Sequence, residues 1–279
     1  MIDKPFESLD GWVRYLSEGQ IPVLKHSLVE LGKLRERAET VNGRQLASVI
    51  LTDPLMTLRV LNYIEAHRRH RQHTDITTID RAIMMIGIGP FFTEFDAMTT
   101  IEDQLAGHPQ ALLGLLRVIA RARKAARWAH EWAILRHDLD VDEITVATLL
   151  RYGAEMLMWA FAPALALKVR ALQVANPTMR SSSAQHDVYG VTLNDLGVAL
   201  AKSWHLPALI ATLMDPSQAT NPRVRNVTLA CDLARHTANS WDDPALPDDF
   251  AGICDLLHLN QETLFRKLGL DEQGHPLQK

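Results

Sequence analysis

The dipeptide His137-Asp138 is the first place in this 279-residue chain where chemistry could be sought. An imidazole beside a carboxylate can hold a divalent ion, provided a rigid element projects both toward further ligands and outer partners orient them. Here the pair lies in "RHDLDVDE", a polar stretch between two apolar periodic segments. Asp138, Asp140, Asp142 and Glu143 suit a connecting loop and the acidic first turn of the helix that follows it. The expectation is an interhelical loop, not a metal site.

Three other stretches carry reactive or charged side chains. "AHRRHRQH", from Ala66 to His73, is the most basic short run. As a solvated helix end it needs no function. As a site, Arg68, Arg69 and Arg71 would contact phosphates or an acidic partner surface, and His67, His70 and His73 would offer imidazoles to a transition metal. Arg117, Arg123, Lys124 and Arg127 fall opposite an Ala/Trp stripe on one long helix, with Arg121 near the edge of that stripe. "SSSAQHD", from Ser181 to Asp187, brings serines close to His186 and Asp187. Proximity in sequence does not make a triad, and neither a Gly-x-Ser-x-Gly elbow nor a phosphate-cradling glycine loop occurs.

The elements that must position these groups read as helices almost throughout. Asp53-Pro54 is a helix start, the carboxylate placed to cap and the proline pre-set for the first turn. Thr77-Thr78-Ile79-Asp80 resembles a capping box with Asp in place of Glu. The longest predicted helix runs from Pro109 to Leu135. On it Ala125, Trp128, Ala129, Trp132 and Ala133 follow the i, i+3, i+4, i+7, i+8 rule of a packed face. No alternating run is long enough to require a sheet, so the predicted class is all-α. The stretch from Asp215 to Pro222 is the one plausible internal boundary, dividing a lead-in helix over 1–20 and a main body over 21–214 from a helical extension over 215–279.

Composition bounds the function. Hydrophobic residues make up 47% and charged residues 22%, enough for a large core, and the net charge of -4 gives no global field for nucleic acid or anionic lipid. Any anion site must be local. Cys231 and Cys254 are too few for a four-thiolate site and read as reduced, buried thiols. No signal peptide or membrane-length apolar run is recognised, so the expected compartment is the cytoplasm.

Five segments occur in an order that carries a resemblance: "IPVL" at Ile21, "LTDPLMTLRVLNYIEA" at Leu51, "ITTIDRAIMMIG" at Ile76, "TLLRYGAEML" at Thr148 and "GVTLNDLGVALAKSWHLP" at Gly190. Together they resemble the HDOD domain, a helical output domain related to the HD phosphohydrolases. Asp53-Pro54 with Leu55 and Asn62, Ala82-Ile83 with Gly87, and Gly197 with Trp204 and Leu206-Pro207 are its most specific pieces. The resemblance implies an HD-like multi-helix fold over Ile21 to Met214.

The same resemblance locates a degenerate metal site. In the HD hydrolases the defining pair follows two apolar residues; here Leu149-Leu150 precede Arg151-Tyr152. Leu193 stands where many relatives keep a His, and Met214-Asp215 where they often carry a His pair. A guanidinium has no lone pair to give and repels a divalent cation. No metal, cofactor or catalytic residue is therefore expected. The resemblance implies a non-catalytic regulatory domain of bacterial signal transduction acting through protein–protein contacts. With no receiver or nucleotide-enzyme domain recognised, its partner would be a separate chain; nucleic acid is not an expected partner. The alternative is a receptor for a nucleotide or other anionic ligand, with Arg121 and Arg151 holding the anion where metal once sat. A residual metal-dependent phosphohydrolase is the third reading.

Overall fold

The computed structural model describes residues 1–67 and 76–277. The first helices are α1 (Leu9–Glu18), α2 (Lys25–Arg35), α3 (Gly43–Ile50), α4 (Pro54–His67), α5 (Ile79–Ile86), α6 (Ile88–Glu94) and α7 (Ile101–Gln104). They are followed by α8 (Pro109–Leu135), α9 (Val141–Leu150), α10 (Gly153–Phe161), α11 (Pro163–Ala175), α12 (Ser181–Tyr189), α13 (Leu193–Ser203) and α14 (Ala208–Met214). The chain closes with α15 (Pro222–His236), α16 (Leu246–Leu257) and α17 (Gln261–Leu268). Among the described residues the extended backbone forms isolated bridges alone, between Val23 and Thr100 and between Leu270 and Pro276. The all-α expectation holds.

Two helices form the centre. In α9 Ile144, Val146, Ala147, Thr148, Leu149 and Leu150 are all buried, so the helix is covered on nearly every side. Thr148 tolerates this because its hydroxyl donates to the Ile144 carbonyl at 2.7 Å. Beside it runs α8, whose buried face of Ala122, Ala125, Ala129 and Ala133 lets neighbouring backbones come close. α8 packs against α9, α10, α11 and α15, and α9 against α4, α14 and α15. Trp128 and Trp132 lie in the core, as the stripe predicts.

Asp53 anchors the N-terminal half. Its Oδ1 accepts the backbone N–H groups of Leu55 at 3.0 Å and Met56 at 3.2 Å, the expected cap of α4. Its Oδ2 does more, accepting the Leu24 N–H at 2.7 Å and the Ser27 hydroxyl at 2.9 Å. One fully buried carboxylate thus ties the starts of α2 and α4 together. The Thr77–Asp80 box does not form. Thr78 is the N-cap of α5 and accepts from the Arg81 N–H, while the Thr77 hydroxyl donates to Glu143 at 2.7 Å. Asp80 therefore stands one place short of the position that would close a box.

The lead-in helix is welded to the body. Trp12 and Leu16 are fully buried, and the Trp12 indole donates to the Tyr189 carbonyl at 2.9 Å. At the other end a short 3-10 turn, Pro216–Gln218, follows the Asp215 cap. α15 then lies across α8 and α9, α16 packs on α15, and α17 on α16. The Asn226 side-chain amide donates to the Ala129 carbonyl of α8 at 3.1 Å, a bond between buried partners. The segment after 215 is built onto the central helices, and it supplies one wall of the candidate site.

Candidate functional site

His137-Asp138 lies in the turn between α8 and α9. His137 is exposed with a left-handed backbone (φ 56°), and Asp138 is held by Arg136 at 3.1 Å, with Arg223 nearby. It is a loop, as its neighbours predict. Arg68, Arg69 and Arg71 fall outside the described residues. His67, at the end of α4, puts Nδ1 2.8 Å from the Tyr63 carbonyl and its ring against the Tyr63 ring.

The degenerate metal positions Arg151, Tyr152 and Leu193 line one cleft of about 1340 Å³, together with Arg121. Local helix geometry puts them there. α9 ends at Leu150, Arg151 keeps helical dihedrals, and Tyr152 (φ -93°, ψ 7°) breaks the run before α10 restarts at Gly153. Leu193 opens α13 behind its Thr192 cap. On α8, Gly114 makes room for Trp159: a Cβ there would sit 2.6 Å from the indole. Arg117, Arg121 and Lys124, at i, i+4 and i+7, share the face that looks into the cleft.

The basic run on α8 is therefore not one solvated face. Arg123 turns away and donates to the Thr52 carbonyl, and Arg127 lies by a separate small apolar groove with Leu51 and Leu149. Lys124 donates to the Thr237 hydroxyl at 2.9 Å and sits 4.8 Å and 5.3 Å from the ring centres of Trp128 and Trp241. That cation–π bracket fastens α8 to the segment after α15.

Arg121 is committed internally, which corrects its expected role as a free anion ligand. It forms an ion pair with Glu155 and stacks over the Tyr152 ring at 4.4 Å. Burial works against its charge, but Glu155 and the other groups around it, Tyr152 and Cys231, together hold the guanidinium pKa above its ordinary value. The Tyr152 hydroxyl donates to the Cys231 carbonyl at 2.6 Å, linking the pocket floor to α15.

Could these residues hold the metal of the HD hydrolases? Burial raises the Tyr152 phenol well above its usual range and pushes the Cys231 thiol up to about 12, so both are neutral in the metal-free protein. Glu155 is held by Arg121, and Asp232 by Arg235 at 2.7 Å. Among the described residues no three His, Cys, Asp or Glu side chains gather as a metal centre requires. The donor set does not fit a divalent ion.

It fits an anion. Seven cationic side chains line the cleft against two carboxylates, and both carboxylates already have partners within it. Arg117, Arg151, Arg170 and Arg180 face the cleft with no carboxylate within ion-pair distance among the described residues. Two buried polar atoms in the lining, Arg121 Nε and Asn194 Oδ1, have no hydrogen-bond partner. Of the four unpaired arginines, sequence reasoning reaches Arg117 and Arg151 and misses Arg170 and Arg180. Glu155 had a readable signal: it is the single charge in the apolar run "GAEMLMWAF".

Comparison with known proteins places the fold. The family model for the HDOD domain matches residues 21–219. A response regulator, MmoQ from Methylococcus capsulatus, superposes with a TM-score of 0.64 at 18% identity, covering 90% of this chain and 98% of that one. A virulence factor from Campylobacter jejuni superposes with a TM-score of 0.67 at 17% identity, covering 95% and 93%. At such identities these likenesses speak for the fold alone. No curated protein matches the chain in sequence.

Proposed function

Since the chain belongs to the HDOD domain family, we propose that it is a non-catalytic regulatory domain of bacterial signalling that works by binding in the cytoplasm. Its cleft takes an anionic ligand, and its output is a contact with a separate protein. The observation that carries the ligand reading is the set of four unpaired arginines facing one cleft at the degenerate metal position. Like charges gathered along one concave surface raise the local potential for an anion above that of the same groups spread apart.

The output reading is supported by the wiring of the pocket. Tyr152 joins its floor to α15, and Lys124 joins α8 to the segment beyond it. An occupied cleft can therefore bias the C-terminal helices, which present surface to a partner. The domain is signalling-related by family, and the loss of ligating side chains supports a binding role over hydrolysis.

A thermal-shift series at constant ionic strength tests the cleft. Inorganic phosphate replacing chloride should raise Tm, because a ligand that binds the folded state alone stabilises it. The rise should vanish in the double variant Arg151→Gln/Arg170→Gln. Turnover of a phosphodiester substrate in manganese would overturn the non-catalytic reading. Capture of one protein from the native cell, lost when the helices after 215 are altered on their exposed faces, would identify the partner.

A further inference from the structure

The walls of the cleft are basic in a way the whole chain is not. The protein carries 33 acidic residues and a net charge of -4, yet no Asp or Glu occurs from residue 104 to 130 or from 156 to 186. Those stretches contain most of α8, all of α11 and the start of α12. From them Arg117, Arg170 and Arg180 line the cleft. The two acids that also line it, Glu155 and Asp232, are held by Arg121 and Arg235. One face of a net-negative molecule is thus cleared of acids, and its field there attracts an acidic partner and repels a basic one.

Charge alone would suit any anion, but apolar side chains beside it narrow the choice. On α8 Leu113 stands one turn before Arg117 on the same face, and Leu116 one turn before Ala120 of the cleft wall. Both leucines are exposed. On α11 Val174 stands one turn after Arg170, lines the cleft and is 72% exposed. Each wall therefore sets an exposed aliphatic side chain beside an arginine that has no carboxylate partner among the described residues. The α11–α12 wall is also fixed in shape. The Gln173 side-chain amide donates to the Ser181 hydroxyl at 3.0 Å and the Met179 N–H to the Asn176 carbonyl at 2.9 Å, which holds Pro177 and Arg180 at the cleft edge.

Size and surface decide between occupants. The cleft volume of about 1340 Å³ exceeds the ~300–1000 Å³ typical of small-molecule sites. Single-stranded nucleic acid stacks its bases on exposed rings, and the rings of this lining, Tyr152, Trp159 and Tyr189, are all buried. An acidic peptide uses what is exposed. Its carboxylates meet the arginines, and its own apolar side chains cover Leu113, Leu116 and Val174. We propose that the cleft docks a segment of another protein in which acidic and apolar residues are interspersed, which rests on the anion-binding reading above and names its ligand.

A random peptide library displayed on phage and panned against the whole chain tests this. Enriched sequences should combine Asp and Glu with Leu, Ile, Met or Phe. A synthetic copy of an enriched peptide is then titrated by calorimetry. The double variants Arg117→Gln/Arg180→Gln and Leu113→Asn/Val174→Asn should each weaken it at least about tenfold. All four side chains are exposed, so circular dichroism and Tm should stay unchanged. No enrichment, or enriched sequences without acids, would overturn the proposal. If acidic peptides bind Leu113→Asn/Val174→Asn as well as the parent, the apolar docking falls while the anion reading stands. A single-stranded oligonucleotide that binds more tightly than the peptide would reassign the cleft to nucleic acid. Absence of acidic enrichment together with absence of a phosphate-dependent rise in Tm would remove the anion reading as well.

Discussion

Two buried charged groups in this molecule are handled in opposite ways. At the junction of α2 and α4, Asp53 is fully buried and every nearby donor is used: two amides of its own helix, one amide and one hydroxyl of α2. In the cleft, cations outnumber carboxylates and Arg121 Nε and Asn194 Oδ1 have no partner. A buried charge costs several kcal/mol unless paired and hydrogen-bonded, which Asp53 is; the unpaired arginines of the cleft are half-buried or exposed and keep contact with water. The closed site holds helices together. The cleft leaves four of its arginines without a carboxylate partner among the described residues.

The closed site should show the largest effect on stability. Asp53→Ala leaves two Leu24/Ser27 donors and two α4 amides unsatisfied, and should cost about 3–5 kcal/mol in denaturant unfolding. From the cap alone, Asp53→Asn would be expected to cost much less. The structure reverses that expectation. An amide offers one acceptor atom, so its NH2 must face one pair of donors, and about 2 kcal/mol or more should be lost. A near-neutral Asp53→Asn would mean that the α2 contacts carry no weight.

Next comes the cleft wall. Gly114→Ala should gain up to ~1 kcal/mol of helix propensity. It should lose about 1–3 kcal/mol to overpacking, because the new methyl falls 2.6 Å from Trp159. The net loss should accompany a changed tryptophan fluorescence. Stabilisation would show that Trp159 has room to move.

Glu155→Gln sharpens the contrast within one site. The pair it breaks is partly exposed, so unfolding should shift by about 1–2 kcal/mol. Arg121 would be released toward the cleft, and affinity for phosphate should rise. A stability loss without any gain in affinity would make the Arg121–Glu155 pair purely structural. Smallest are Arg117→Gln and Arg180→Gln, each within about 0.5 kcal/mol of the parent. A large loss from either would show that these arginines serve the fold after all.

Much of the fold was legible in the chain because helices are written locally. Period 3.6 marks the stripe of α8, and proline with a capping side chain marks the start of α4 at Asp53-Pro54. The loop at His137-Asp138 was legible for the same reason, from its acidic neighbours. The resemblance located Arg151, Tyr152 and Leu193, and the folded chain gathers all three in one cleft. Spacing could not say which faces meet. Arg121 was assigned to an anion, yet Glu155, 34 positions away, claims it. Arg170 and Arg180 carry no local pattern, since a lone arginine on a helix or just before one is usually solvated. Asp53 announced its cap through the dipeptide Asp53-Pro54, but its grip on Leu24 and Ser27 bridges 29 and 26 positions. Local signals arise from backbone dihedrals and periodicity within a few turns. Which charge is satisfied and which is left open depends on helices from distant parts of the chain coming together, and tertiary packing alone decides that.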